Sequence, residues 1–355
     1  MPVIDQVITS DYAIYNSDVM EVLPSLKDES IDISVYSPPF PELYQYSDNP
    51  RDVSNCVSYD ETIDHYRHVV KQIARLTKPG RLSCVHCCDL KRGIIYQHDF
   101  PGDVVKLHEA EGLHYFCRVA IWKDPWEFAR RTRMKTLMHK TIVEDASTSR
   151  IAPGDYVIVF RKPGTNAVPI THTQGFKKYA GGNPIPRALH EYIDWKGSQK
   201  ENRLSHWIYR QYASPIWMDI RRGRLMPFDD EREDPEERHV CPLQLDVIER
   251  CLSLWSNPRE VMLTPFMGVG SEVFQAVRMG RRAIGTELKS TYYRQAVENV
   301  PRAYLPEEDE LPMGLDRDEE DEQGTMFDDE EPEWLAAAHD FSGNGEDSDE
   351  SRDED

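Results

Sequence analysis

The run Ile31-Asp32-Ile33-Ser34-Val35-Tyr36 places β-branched residues at alternating positions and stops at Pro38-Pro39. This predicts a strand with Ser37 at its C-terminal edge, because proline cannot continue a sheet ladder. Shorter apolar runs predict further strands near Tyr12 and at 81–87, 118–122, 156–160, 261–264 and 283–286. Helical spacing covers 19–26, 62–77, 106–111, 245–254 and 271–279, with Lys78-Pro79-Gly80 and Gly280 as stops. Strand and helix alternate, so the expected class is α/β, a Rossmann-like sheet with helices on both faces. Between 163 and 238 the periodicity breaks into Gly, Pro and aromatic residues, and no internal repeat is present.

The segment 261–287 reads as a nucleoside-binding βαβ unit. A strand 261–264 leads into the turn Met267-Gly268-Val269-Gly270, a helix follows, and the second strand ends on Glu287, 19 positions past Gly268. An acid there is placed to accept ribose hydroxyls. The third glycine of the dinucleotide fingerprint is missing, since Val273 stands in its place. That disfavours nicotinamide and flavin cofactors. S-adenosyl-L-methionine has no pyrophosphate to cradle, and Gly268 and Gly270 suffice to let its methionine portion approach the backbone.

Open α/β sheets bind ligands at strand C-terminal edges, which is where Ser37-Pro38-Pro39-Phe40 falls. An exocyclic amine of a nucleobase is a poor nucleophile because its lone pair is delocalised into the ring. A hydroxyl (Ser37) and a carbonyl (Pro38) accepting its two hydrogens would favour a pyramidal nitrogen. Pro39 fixes the backbone, and Phe40 could stack on a base taken out of the duplex. Taken alone, the tetrapeptide reads at least as readily as a Pro-Pro turn after a buried strand with an incidental Ser and Phe.

Together these segments resemble the DNA N4-cytosine/N6-adenine methyltransferases of the permuted β class, including phage-type members, in which the catalytic half precedes the cofactor half. Ser37 and Pro265 are 228 positions apart in that order. Tyr15-Asn16-Ser17-Asp18 resembles the family's opening, which implies that Asp18 touches the cofactor. Cys241-Pro242-Leu243-Gln244 resembles the element that packs on the methionine, so Pro242 joins the expected site with Thr264, Pro265 and Phe266. The family's usual Asp-Pro-Phe is Thr264-Pro265-Phe266 here, which removes one carboxylate near the cofactor, and a closing Thr is Ser271. The resemblance implies a methyl transfer from S-adenosyl-L-methionine to the exocyclic amine of a flipped base in double-stranded DNA, with a partner restriction endonuclease possible. Ser at position 37 tilts the target towards cytosine N4 over adenine N6. Two other classes stay open: an RNA or protein-glutamine methyltransferase, and an inactive DNA-binding or DNA-mimic protein with a methylase fold.

The expected organisation is a catalytic half at 1–162, a target-recognition insert at 163–238, a cofactor-binding half at 239–304 and a disordered acidic tail at 305–355. The tail holds 23 acids against Arg317 and Arg352, so of the chain's 63 acids and 42 bases the other 304 residues keep 40 of each. The net charge of −21 is therefore a property of the tail, a solvating segment or a competitor for the basic face. That face is expected in two stretches. Residues 118–162 hold ten bases against five acids, densest at Arg130, Arg131, Arg133 and Lys135, and 172–226 hold ten against four, interleaved with aromatic rings suited to unstacked bases. The loop 41–48 is a candidate flap. Seven cysteines make no disulfide framework, and Cys84-Val85-His86-Cys87-Cys88 reads as a buried strand in preference to a metal site, because Cys84 and His86 point one way from a strand and Cys87 the other, while zinc pairs normally have two to four residues between ligands. Asp89, at that strand's end, is a further functional candidate. No stretch is long and apolar enough to cross a membrane and the start is no signal peptide, so a cytoplasmic protein is expected.

Overall fold

A computed structural model describes residues 3–39, 58–92, 96–132, 139–149, 151–227 and 242–306. In chain order these form β1 (Asp5–Ile8), β2 (Tyr12–Asn16), α1 (Val19–Val22), β3 (Ile31–Tyr36), α2 (Tyr59–Leu76), β4 (Thr77–Cys88), β5 (Leu90–Arg92), β6 (Tyr96–His98), α3 (Phe100–Ala110) and β7 (His114–Ile121). There follow α4 (Pro125–Thr132), α5 (His139–Asp145), β8 (Asp155–Arg161), α6 (Arg203–Tyr212), β9 (Ile216–Trp217), α7 (Leu245–Trp255), β10 (Val261–Thr264), α8 (Ser271–Arg278), β11 (Arg282–Glu287) and α9 (Ser290–Asn299). Phe40, the loop 41–48, Arg133, Lys135, Cys241 and the tail from 307 lie outside the described residues.

Nine strands make one sheet in the order β1-β2-β11-β10-β3-β4-β8-β7-β9. From β2 through β4 all neighbours are parallel, and β8 runs antiparallel between β4 and β7. Every residue of β3 is buried, as expected of a central strand covered on both sides. On one face Ile33, Val35, Cys84 and Met262 pack under residues of α7, α8 and α9; on the other, Tyr36, Val85 and Leu263 pack under α2 and α3. Each such side chain contributes about 1.5–3 kcal/mol when fully buried.

The pairing of β10 with β3 joins the two halves of the sequence. Met262 lies opposite Ile33 and Leu263 opposite Ser34. Asp32 fixes this register: its Oδ2 accepts the Val261 N–H at 2.9 Å and its Oδ1 meets Lys78 Nζ at 2.6 Å. Arg81, 2% exposed, donates to the Asp32 carbonyl at 3.0 Å and pairs with Glu260, tying β4 to the same corner.

Helix boundaries follow local capping. α2 begins at Tyr59, earlier than the expected 62, because Ser58 Oγ accepts the Glu61 N–H at 3.2 Å. α3 begins at Phe100, where periodicity alone placed it at 106, because Asp99 caps Gly102 at 2.9 Å and Pro101 sits in the first turn. The helix expected over 19–26 ends at Val22 and tightens into a 3₁₀ turn at Leu23–Ser25, where Pro24 stands.

Segment 163–227 has a small core of its own. Ala180, Leu204, Ile208 and Tyr212 pack with Phe176, Tyr179 and Trp207, and Leu254 of α7 joins them. The fully buried Arg250 of α7 runs into this segment: Nε donates to the Ala180 carbonyl at 2.7 Å and Nη2 meets Asp219 Oδ2 at 2.6 Å. Its guanidinium lies 5.1–5.7 Å from the ring centres of Tyr179, Tyr212 and Trp217. The rings expected to face unstacked bases are therefore largely spent on packing; Tyr209, 53% exposed, is an exception. α6 is absent from the periodicity reading, yet Asn202 caps it at 3.1 Å and Leu204, Ile208 and Tyr212 repeat every four residues. Among the described residues no helix is long and apolar enough to cross a membrane.

Candidate active site

Two loops leave adjacent strands in opposite directions at the carboxyl edge of the sheet. After β3 the chain passes through Ser37-Pro38-Pro39 towards α2 and β4; after β10 it passes through Pro265 to Gly270 towards α8 and β11. Such a point of divergence opens a crevice, the usual ligand site of open α/β sheets. The chain order that separated the two segments by 228 positions is thus closed by one pair of parallel strands.

On the β10 side the turn is held by backbone and side-chain bonds. Thr286 Oγ1 donates to the Pro265 carbonyl at 2.6 Å, the Met267 N–H to the Thr286 carbonyl at 3.0 Å, and Asn299 Nδ2 to the Val269 carbonyl at 2.9 Å. Gly268 has φ +52° and Gly270 φ +91°, both in the left-handed region that favours glycine. They differ in surroundings. A Cβ on Gly270 would meet Ala296 and Val300 at 3.0–3.1 Å, whereas one on Gly268 would have no heavy atom within 4 Å among the described residues beyond its chain neighbours. Gly270 serves the packing of α8 on α9, and Gly268 faces open space.

Glu287 ends β11 beside this turn. Its Oε2 accepts the Gly268 N–H at 3.0 Å and its Oε1 the Lys289 N–H at 2.7 Å, which orients the carboxylate. Glu287 lies opposite Asn16 across the β11–β2 pair, so Asp18, two residues further on, belongs to the same edge. Asp18 caps α1 by accepting the Met20 N–H at 2.8 Å. Thr264 Oγ1 and Ser271 Oγ are buried and find no hydrogen-bond partner among the described residues. Oriented acid, open glycine and unused hydroxyls together fit the nucleoside and amino-acid parts of S-adenosyl-L-methionine. Pro242 is buried just ahead of α7, and Glu272, in the first turn of α8, has its carboxyl pushed up to about 8 by burial and then by Glu287.

On the β3 side the support is a buried polar network. His108 Nδ1 donates to the Val104 carbonyl at 2.7 Å, which leaves Nε2 to accept from Tyr36 Oη at 3.2 Å; Tyr66 Oη then donates to Tyr36 Oη at 2.9 Å. Burial lowers His108 to about 4, so the ring stays neutral. Phe266, expected at the cofactor, packs its ring against Tyr36 and Tyr66 at centroid distances of 6.2 and 6.4 Å.

Ser37 itself is bonded to a residue that the sequence reading weighed only as a metal ligand. Its Oγ lies 2.8 Å from His86 Nδ1, and His86 Nε2 lies 3.3 Å from Asp155 Oδ2. Lys123 Nζ reaches the same carboxylate oxygen at 2.5 Å. The signal was a polar side chain in an apolar strand, on the face that Ser37 shares. Cys84 and Cys87 are fully buried on opposite faces of β4, each with its thiol pushed well up by burial.

Of the basic residues expected to meet DNA, Arg130 and Arg131 belong to α4, while Arg133 and Lys135 lie outside the described residues. In 172–226, Lys177, Lys178, Arg187, Lys196, Lys200, Arg203 and Arg210 are exposed, whereas Arg221 and Arg224 are bound to Asp246 and Glu249.

A family profile described as DNA methylase matches residues 31–298. Among curated proteins, the type II methyltransferase M.BglII of Bacillus subtilis is 23% identical over 79% of this chain and 66% of its own length. M.BamHI of Bacillus amyloliquefaciens is 20% identical over 78% and 54%, and M1.MboII of Moraxella bovis 38% identical over 16% and 22%. The chain thus spans less than two thirds of the length of the curated relatives it matches. Two solved structures share the fold. A protein of Thermus thermophilus described as a DNA modification methylase, in complex with S-adenosyl-L-methionine, is 21% identical with a TM-score of 0.53, over 81% of this chain and 91% of its own. The cytosine-N4-specific PvuII DNA methyltransferase is 14% identical with a TM-score of 0.51, over 84% and 88%.

Proposed function

Since the chain belongs to the DNA methylase family, we propose that it methylates an exocyclic amine of a flipped base in double-stranded DNA, with S-adenosyl-L-methionine as methyl donor. The observation that carries this reading is the β3–β10 pairing, which sets Ser37-Pro38-Pro39 beside the turn of Gly268 and Glu287 at one crevice. When bound, the cofactor supplies an electrophilic methyl group. Glu287 holds the ribose hydroxyls, Asp18 closes the same edge, and Thr264, Pro265, Gly268 and Gly270 shape the cradle, with Pro242 at its rim. The Ser37 hydroxyl and the Pro38 carbonyl accept the two amine hydrogens and free the nitrogen lone pair, and Phe40 stacks on the extruded base. Holding the amine in line with the methyl carbon then supplies most of the acceleration, because a well-oriented pair gains about 7–11 kcal/mol from proximity.

The exposed Lys and Arg of 172–226, together with Arg130, Arg131, Arg133 and Lys135, neutralise phosphates in this reading, and 163–238 acts as the target-recognition insert. Ser37 favours cytosine N4 as the acceptor, in line with the specificity of the PvuII enzyme that shares the fold. The type II naming of the curated relatives supports a restriction endonuclease as companion. The test is incubation with labelled S-adenosyl-L-methionine and mixed duplex DNA, digestion to nucleosides and identification of the labelled one. N4-methyldeoxycytidine is expected; N6-methyldeoxyadenosine would overturn the cytosine assignment, and an unlabelled DNA digest would overturn the DNA reading.

A further inference from the structure

The chain Ser37–His86–Asp155–Lys123 draws on four strands, and beyond Ser37 it is unused in the function just proposed. Ser37 follows β3, His86 lies in β4, Asp155 opens β8 and Lys123 follows β7. Register brings them together. Tyr36 lies opposite Val85, so Ser37 and His86 continue that parallel pairing on one face, and Asp155 lies opposite Cys88, two residues past His86 on the same face. The His86 side chain is 12% exposed and that of Asp155 4%.

The protonation pattern follows from the partners. Burial would raise the Asp155 carboxyl, but Lys123 and His86 outweigh it and hold it at about 2. An ionised carboxylate only accepts, so the hydrogen between His86 Nε2 and Asp155 belongs to Nε2. With one hydrogen on the ring, at Nε2, Nδ1 carries a lone pair and the Ser37 hydroxyl donates to it. With its hydrogen committed at 2.8 Å, Ser37 Oγ has only lone pairs left, which is what an amine hydrogen requires.

We infer that His86 is a positioning residue and proton acceptor that works through Ser37, an inference that rests on the amine-methylation reading. As the amine nitrogen bonds to the methyl carbon, the carbon–sulfur bond breaks and its electron pair stays on sulfur, leaving one proton too many on nitrogen. That proton passes to Ser37 Oγ while the Ser37 hydroxyl proton passes to His86 Nδ1. The positive charge lost from the sulfonium reappears on the imidazolium, so the site's net charge is unchanged. Among the described residues, the charged groups bound around the ring are Asp155 of β8 and, through the same carboxylate, Lys123 after β7. Asp155 stabilises the imidazolium; Lys123 weakens that hold and favours release of the proton to water.

His86→Gln keeps an acceptor oxygen for the Ser37 hydroxyl but cannot take up a proton. S-adenosyl-L-methionine affinity should stay within about twofold, while single-turnover transfer on saturating DNA falls about a hundredfold, the low end for general base catalysis. The acid limb of the wild-type pH–rate profile should vanish with it. A wild-type rate, or a surviving acid limb, overturns the inference. Should that variant not fold, Asp155→Asn serves instead and should slow the same step at least about tenfold, since the ring tautomer is no longer fixed. A second readout needs no turnover: nitrogen-15 NMR of labelled histidine in the wild-type protein should show His86 as the Nε2–H tautomer, and an Nδ1–H tautomer overturns the relay. An Nε2–H tautomer in a protein that methylates no DNA overturns the functional reading instead, and with it the proton-accepting step.

Discussion

Phe266 lays its ring against Tyr36 at a centroid distance of 6.2 Å and a tilt of 54°, although 230 positions separate them. Each stands one or two residues from a critical atom: Tyr36 precedes Ser37, and Phe266 lies two positions before Gly268. The contact therefore couples the proposed amine-binding and cofactor-binding loops through a shared aromatic floor, which Tyr66 completes.

Gly268→Val should block cofactor binding. The position has φ +52° and open space where a side chain would project. A branched Cβ there occupies the ligand's room and opposes the backbone angle, which costs an L-residue about 1–2 kcal/mol. Calorimetric titration with S-adenosyl-L-methionine should show affinity reduced about tenfold or more; unchanged affinity would move the cofactor elsewhere.

Ser37→Ala should spare cofactor affinity and slow methyl transfer by about ten- to a thousandfold, the range for one hydrogen bond of about 1.4–4 kcal/mol made mainly in the transition state. Single-turnover rates on saturating DNA decide it. An unaltered rate removes Ser37, and the relay behind it, from the chemistry.

Arg250→Ala should loosen 163–227 from α7. The guanidinium is fully buried, binds the Ala180 carbonyl and Asp219, and is enclosed by Tyr179, Tyr212 and Trp217. Removing it leaves the buried Asp219 carboxylate without its cation, held among the described residues only by the Tyr179 hydroxyl, as well as a cavity, a loss of about 3–5 kcal/mol. Denaturant unfolding measures the loss, and DNA affinity should fall further than cofactor affinity. Equal stability of variant and wild type would refute the anchoring role.

The neutral His108 makes part of the fold's stability pH-dependent. Its folded value of about 4 lies below the ordinary 6.5. The contribution is therefore intact above 6.5 and is lost as pH falls from 6.5 to about 4, at about 1.4 kcal/mol per pH unit. Glu272 runs the other way: its carboxyl, pushed up to about 8 from 4.5, is favoured neutral in the folded protein and costs stability as pH rises between those values. The two windows overlap and offset, so the effect is isolated by comparing wild type with His108→Gln. The stability advantage of the wild type should shrink by about 3 kcal/mol between pH 7 and pH 4; a constant difference would mean that His108 takes up a proton as readily in the fold as in the unfolded chain.

Several features were legible along the chain because their causes are local. The alternation of 31–36, the turn Met267–Gly270 and the acid that ends β11 depend on residues within a few positions of one another, and strand periodicity, glycine at positive φ and proline stops act at that range. Apolar periodicity alone starts a helix late where a cap, Ser58 or Asp99, precedes the apolar stripe. What only the tertiary structure decided is pairing across the sequence. The β3–β10 contact depends on Asp32 reaching Val261, the spending of aromatic rings on Arg250 depends on α7 meeting 179–217, and His86 becomes Ser37's partner only when β3, β4 and β8 lie in register. A side chain's own neighbours state its face of a strand. Which distant strand lies beside it is settled by burial and hydrogen bonding summed over the whole sheet, and no window of the sequence contains that sum.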